Sequence, residues 1–205
     1  MFKKILSIDL DGVIIDSLDN MKVAWKRTNQ KFSLNISFKN YSRYLGLPFR
    51  EILKKNHIYI KHEEIYKNYN KISLKNYKLI KVYKNIIKVL NILKKRYIII
   101  IITSKNRLRA QKILKLKNIP YNRLITPDDV LRGKPFNDSV LCIKKKYHIK
   151  NNDIIHVGDF EIDYKFAKNS KIKFIFANWG YGKKVGKLIA NKPKDLVKMV
   201  NKILR

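Results

Sequence analysis

Apolar residues along this chain follow two rhythms. Short runs with little polar interruption occur at Ile5 to Leu10, Tyr97 to Thr103, Arg123 to Thr126, Ile154 to Val157 and Ile172 to Ala177. Isoleucine and valine dominate most of them, as expected of strands buried on both faces of a parallel sheet. Between these runs the spacing is helical. Ile86, Ile87, Leu90 and Leu93 recur at helical intervals within Tyr83 to Lys95, and Leu108 to Leu116 and Ser139 to Tyr147 behave similarly. Pro193 suits the first turn of a last helix, Asp195 to Leu204. Strands alternating with helices predict an α/β fold built on a doubly wound parallel sheet.

The alternation fails from about Ser17 to Ile80. Helical spacing persists there, in Val23, Ala24 and Trp25, then Tyr41, Tyr44 and Leu45, then Ile65, Tyr69 and Ile72, but no strand run appears. Gly46 to Pro48 is the clearest turn. The pattern predicts an α-helical insertion over residues 17–80, with residues 1–16 and 81–205 forming the α/β core. No Pro/Gly/Ser-rich linker flanks the insertion, so its connections are expected to be short.

Composition narrows the picture. A chain of 205 residues is long enough for one core plus a small insertion. Its longest apolar run, Tyr97 to Ile102, falls far short of the roughly 20 residues needed to span a bilayer. Asp9 and Asp11 break the N-terminal apolar run too early for a secretory signal. The single Cys142 excludes a disulfide within the chain. The expectation is a cytoplasmic protein with no membrane partner. The net charge of +32 is extreme. Its excess is mostly lysine, spread along the chain together with abundant isoleucine and asparagine, whose codons are A/T-rich. Nucleic-acid surfaces concentrate arginine and interleave aromatics, so compositional drift is preferred over specific nucleic-acid recognition. Weak polyanion binding at low salt is expected all the same. Nothing in the sequence sets an oligomeric state.

Four clusters carry candidate chemistry, each at the end of a predicted strand, where open α/β sheets bind ligands. Asp9-Leu10-Asp11-Gly12 places two carboxylates on one face of the chain. Such a pair calls for a cation or a shared proton, and a divalent metal with oxygen ligands meets that need. Thr103-Ser104 ends the isoleucine run, either capping the next helix or donating to an anion. Lys134, fixed between Gly133 and Pro135, differs from the many lysines on helix faces. Gly158-Asp159 ends another strand, with Asp163 one helical turn later, a spacing that suits one metal ligand and one orienting acid.

In order and spacing these clusters resemble the haloacid dehalogenase superfamily of hydrolases. That family carries D-x-D-G-[VT] on its first strand, a Thr or Ser after a second hydrophobic strand, a Lys, and then G-D-x-x-x-D. The helical insertion is similar to the small α-helical cap of the phosphoglycolate phosphatase-like branch. So are Asp16-Ser17, Leu45-Gly46-Leu47-Pro48 and, more loosely, Trp179-Gly180-Tyr181-Gly182. The resemblance implies a Rossmann-like core and a Mg²⁺-dependent phosphatase acting on a small phosphorylated metabolite. It assigns Asp9 as nucleophile and Asp11 as general acid and base. It implies Mg²⁺ ligation by Asp9, Asp159, Asp163 and the backbone carbonyl of Asp11. Thr103, Ser104, Lys134 and the backbone N–H groups of Leu10 and Asp11 are then expected to hold the phosphoryl oxygens. Asp11 favours phosphoryl transfer over dehalogenation, because a halide leaving group needs no proton. A phosphomutase or a phosphatase acting on nucleotide or nucleic-acid ends would use the same residues, and a basic binding module would not need them. Arg43, Arg50 and Lys54, around the Gly46 turn, are expected to meet a second anionic group on the substrate.

Overall fold

The computed structural model describes residues 4–204. In chain order it forms β1 (Ile5–Ile8), β2 (Ile15–Asp16), α1 (Leu18–Lys31), α2 (Phe38–Ser42), α3 (Phe49–Lys55), α4 (His62–Lys75) and β3 (Lys81–Val82). It continues through α5 (Ile86–Lys94), β4 (Ile98–Ile102), α6 (Arg107–Leu116), β5 (Arg123–Ile125), α7 (Asp138–Tyr147) and β6 (Ile154–Gly158). The last elements are α8 (Glu161–Asn169), β7 (Lys173–Ala177), β8 (Ile189–Ala190) and α9 (Asp195–Ile203).

Among the described residues, six strands form a parallel sheet in the order β5-β4-β1-β6-β7-β8. The five apolar runs supply its main strands, and the reason lies in the two-residue period of a strand. Leu6, Ile8, Ile99, Ile101, Ile155 and Val157 face one layer, where they pack with Val89 and Leu90 of α5, Ile113 of α6 and Leu196 of α9. Their neighbours Ile5, Ile100, Ile102 and Ile154 face the other, against Val140 and Ile143 of α7 and Phe166 of α8. With helices on both faces no position is left for an alternating polar residue, so the runs are continuous. The exceptions are Ser7 and His156, register partners that are both buried. β8 was not legible as a strand, since two residues carry no periodicity.

The stretch between β2 and β3 is helical. α1 packs along α4, and the pair encloses its own apolar cluster of Trp25, Tyr41, Leu53, Ile65 and Tyr69. Trp25 stacks on Tyr41 with ring centroids 4.3 Å apart and donates through its indole N–H to the Ile36 carbonyl at 2.9 Å. Buried Asn20 closes the end of this bundle, donating to the carbonyls of Ser73 and Asn76, each at 2.9 Å. The chain enters and leaves the insertion through a feature the periodicity did not reveal. β2 and β3 pair antiparallel, Ile15 with Val82 and Asp16 with Lys81. Among the described residues no helix is long and apolar enough to cross a membrane.

Candidate active site

The chain steps from β1 outward to β4 and β5, then returns to β6 on the other side of β1. Such a reversal leaves a crevice at the carboxyl ends of the strands. Asp9 follows β1, and its N–H donates to the Val157 carbonyl of β6 at 2.9 Å, which brings it beside Asp159. Oxygens of Asp9, Asp159 and Asp163 lie within 4.8 Å of one another, and all three residues are buried. Two glycines make room for this. A Cβ on Gly12 would lie 2.1 Å from the Asp159 carboxylate, and Gly12 also adopts φ +81°; a Cβ on Gly180 would lie 2.3 Å from the Asp159 Cβ.

Lys134 reaches this cluster with one ammonium group. Its Nζ donates at 2.6 Å to Asp9 Oδ1 and at 2.6 Å to Asp163 Oδ1. Asp163 also accepts from the Phe160 N–H at 3.2 Å and lies 3.3 Å from His156 Nε2. Burial keeps the imidazole below its ordinary pKa despite Asp163. The Ser7 hydroxyl donates to the Ile155 carbonyl at 3.0 Å and lies 3.0 Å from Nδ1, so the ring is held between Ser7 and Asp163. Ser7 and His156 thus interrupt the apolar face of the sheet in order to orient an acid.

The electrostatics of the cluster are uneven. Burial pushes Asp9 up to about 7, against the pull of Lys134, with Asp163 and Asp11 adding to the rise. Burial, then Asp163 and Asp9, holds Asp159 well above the carboxylate range. Asp163 is the opposite case, since Lys134 and His156 overcome its burial and hold it below that range. One ammonium among three buried carboxylates leaves an excess of negative charge. Hard oxygen donors converging in a dry site with excess negative charge fit a divalent cation.

Asp11 stands apart from this cluster. Its Oδ1 accepts from the Ser17 hydroxyl and lies 3.1 Å from Lys105 Nζ. The turn after Asp9 is closed by Gly12 N–H to the Ile15 carbonyl and by Ile14 and Ile15 N–H to the Leu10 carbonyl; the N–H groups of Leu10 and Asp11 take no part in those bonds. Thr103 is buried, its Oγ1 accepts from the Lys105 N–H at 3.1 Å, and its hydroxyl proton remains for a ligand. Ser104 departs from expectation. It lines the cavity with Thr103, but its hydroxyl donates at 2.5 Å to the Gly46 carbonyl of the insertion, so it ties the two parts together.

A cavity opens above these residues. Asp9, Asp11, Thr103, Lys105 and Asp159 line it from the sheet, and Tyr41, Leu45, Phe49 and Tyr69 from the helical insertion. Arg43, Arg50 and Lys54 do not reach it. All three are exposed on the outside of the insertion, with Arg50 paired to Glu63 and Lys54 to Glu51 at 3.0 Å. The expectation that they meet a substrate is corrected on this point: the apolar side of α3, with Ile52 and Leu53, is the side that turns inward. The basic residues that line the cavity are Lys105 and Arg109 of the core. The sequence reading passed over both, although Lys105 directly follows the Thr103-Ser104 pair at a strand end. It also missed the double role of Tyr181, whose N–H donates to Asp159 Oδ2 at 2.7 Å while its hydroxyl accepts from the Ser17 N–H at 2.6 Å.

Comparison with known proteins agrees with this geometry. Residues 7–177 match the family model described as haloacid dehalogenase-like hydrolase. The chain is 26% identical to phosphoglycolate phosphatase of Aquifex aeolicus over 210 residues, covering 97% of each chain. In structure it is similar to a hydrolase from Pseudomonas syringae, with a TM-score of 0.86 and 22% identity over 99% of this chain and 100% of that one. It is similar also to a haloacid dehalogenase-like family hydrolase from Streptococcus pneumoniae, with a TM-score of 0.82 and 20% identity over 97% and 98%. These two structures speak for the fold alone, and the family model for membership. The chain therefore belongs to the haloacid dehalogenase-like hydrolases, as a phosphatase similar to those of the phosphoglycolate phosphatase branch.

Proposed function

We propose that this phosphatase hydrolyses a small phosphomonoester through a covalent phosphoenzyme on Asp9. The observation that carries the reading is the division of labour between two acids two residues apart. Asp9 lies in the carboxylate cluster with one oxygen engaged by Lys134, while Asp11 is drawn away from it by Lys105 and Ser17. In the first step a carboxylate oxygen of Asp9 attacks phosphorus, the ester P–O bond breaks, and the leaving oxygen takes a proton from Asp11. In the second, a water attacks phosphorus, Asp11 takes its proton, and the bond from Asp9 to phosphorus breaks to release inorganic phosphate. Thr103, Lys134 and the N–H groups of Leu10 and Asp11 are the donors available to the phosphoryl oxygens.

Asp9, Asp159 and Asp163, with the Asp11 carbonyl, are the residues that would hold Mg²⁺. When bound, the ion supplies the positive charge that lets Asp9 and a phosphoryl group share the site. Residues 17–80 act in this reading as a cap over a core of residues 1–16 and 81–205, and the closed cavity excludes bulk water during the reaction. The substrate is a small phosphorylated metabolite, as for the Aquifex aeolicus relative, and the single cysteine suits a cytoplasmic setting.

The test is hydrolysis of p-nitrophenyl phosphate with Mg²⁺ and with EDTA, for the native chain and for Asp9→Asn. Metal-dependent turnover that falls on the order of 10⁴-fold or more in Asp9→Asn is the expected result. Turnover that persists in the variant overturns the assignment of Asp9. Conversion of a sugar phosphate to its isomer without release of phosphate would mark a mutase instead.

A further inference from the structure

Arg109 is an unusual residue for its position. It lies in the first turn of α6, is buried to 5% exposure, and lines the cavity. Its guanidinium donates to Asn70 Oδ1 at 2.9 Å and to Ser73 Oγ at 2.8 Å, and it sits 5.2 Å from the centre of the Tyr69 ring. Every one of these partners is neutral. Among the described residues no carboxylate lies within 4.0 Å of it, and its Nε is buried without a partner. A buried charge without a counter-charge costs far more than a pair of neutral hydrogen bonds returns. A brace between α6 and α4 needs only N–H donors and no charge.

The second observation is Lys105. It is also buried and lines the same cavity, and its one carboxylate partner is Asp11. Burial first and Arg109 second lower its pKa to about 8. The two cations therefore repel each other across a wall of the cavity. The charges that act most on Asp9 are Lys134, Asp163 and Asp11, whereas Arg109 acts on Tyr41, Tyr66 and Tyr69 of the insertion. Lys105, paired with Asp11, thus stands beside the catalytic acids, and Arg109, bonded to Asn70 and Ser73 and lying over Tyr69, stands toward the insertion on the same cavity.

We propose that Arg109, with Lys105 beside it, forms a subsite for a second anionic group on the substrate, a carboxylate or a second phosphate separated from the reacting phosphoryl group by a short linker. The planar guanidinium, with a second N–H on each terminal nitrogen beyond those given to Asn70 and Ser73, matches either oxyanion. Such a group supplies the counter-charge that the protein withholds, and it holds α6 and α4 together from within the cavity. This rests on the phosphomonoester reading above, and it makes Arg109 a determinant of specificity and not of the chemical step.

The test separates the two. With Mg²⁺ present, 3-phosphonopropionate, ethane-1,2-diylbisphosphonate and propylphosphonate are titrated calorimetrically into the native chain, Arg109→Gln and Arg109→Lys. These three probes share a chain length and differ in the distal group, and none can be hydrolysed. The native chain is expected to prefer an anionic probe over propylphosphonate by roughly 10- to 100-fold, the worth of one charge-assisted contact. The preferred anion identifies the group. Arg109→Gln is expected to remove that preference and Arg109→Lys to keep part of it. A native chain without preference, or equal loss of affinity for all three probes in Arg109→Gln, overturns the subsite and leaves Arg109 a brace. If Arg109→Gln does not fold, the native preference and its reduction in Arg109→Lys decide the matter. The kcat/KM ratio for phosphoglycolate over 2-hydroxyethyl phosphate gives the parallel reading in turnover. Absence of turnover on both esters and on p-nitrophenyl phosphate would refute the phosphomonoester reading, while the titration would still decide the subsite.

Discussion

The floor and the wall of the cavity are built on opposite electrostatic plans. At the floor, the ammonium of Lys134 pairs with Asp9 and Asp163 and leaves Asp159 without a cation beside it, so acidic groups outnumber cations. On the wall, Lys105 and Arg109 face neutral side chains apart from Asp11, so positive charge is in excess. Neither arrangement is at rest by itself, and each is completed by something of the opposite sign. A protein stabilised by its own ion pairs would match charges locally. This one keeps them apart over one cavity, as a site for a cation and an anion together would require.

Three experiments test that contrast. The largest effect is expected from Lys134→Met, which strips the floor of its only ammonium. Leaving Asp9 and Asp163 buried without it should cost about 3–5 kcal/mol in urea denaturation of the metal-free chain, and Mg²⁺ should recover part of the loss. Stability unchanged in this variant would mean that the floor is not held by Lys134. A smaller effect should appear in the pH dependence of the metal-free chain. Asp9 is raised from 3.8 to about 7 in the folded state, so its contribution to stability is full below about 4 and is lost as pH rises toward 7. Tm should therefore fall over that window, less in Asp9→Asn than in the native chain, and saturating Mg²⁺ should flatten the difference. The smallest effect is expected from Arg50→Ala. Arg50 and Glu63 form an exposed pair worth at most about 1 kcal/mol. KM for any anionic substrate should stay within about twofold, and a larger rise would return Arg50 to the site.

The sequence was legible where burial leaves a period. Both-face burial of the sheet wrote itself into the isoleucine runs, and three of the four clusters follow strands, while Lys134 reaches the same crevice from the loop between β5 and α7. What was not legible is equally physical. β2, β3 and β8 have two residues each, too few to alternate. Lys105 and Arg109 were hidden by composition, since 47 lysines and arginines make any one of them unremarkable until the fold buries it. Arg43, Arg50 and Lys54 misled for the converse reason: proximity to a turn does not fix which side looks inward, and Arg43 at the end of α2 and Arg50 and Lys54 of α3 are all exposed. Ser7 and His156 read as strand positions, and only the register of β1 against β6 turned them into the support of Asp163.

The small β2–β3 ribbon has a consequence beyond geometry. Because Ile15 pairs with Val82 and Asp16 with Lys81, the sheet meets the intervening helices at two points lying side by side. From the standpoint of the sheet, everything between them is a closed loop whose ends are already joined. Lengthening such a loop costs little, since closure entropy grows only with the logarithm of its length. Sequence change in the helices can therefore accumulate without disturbing the strand ends below. The helical part of the cavity lining can be rewritten within one uninterrupted stretch of chain, while the catalytic acids, Lys105 and Arg109 stay with the sheet and its helices.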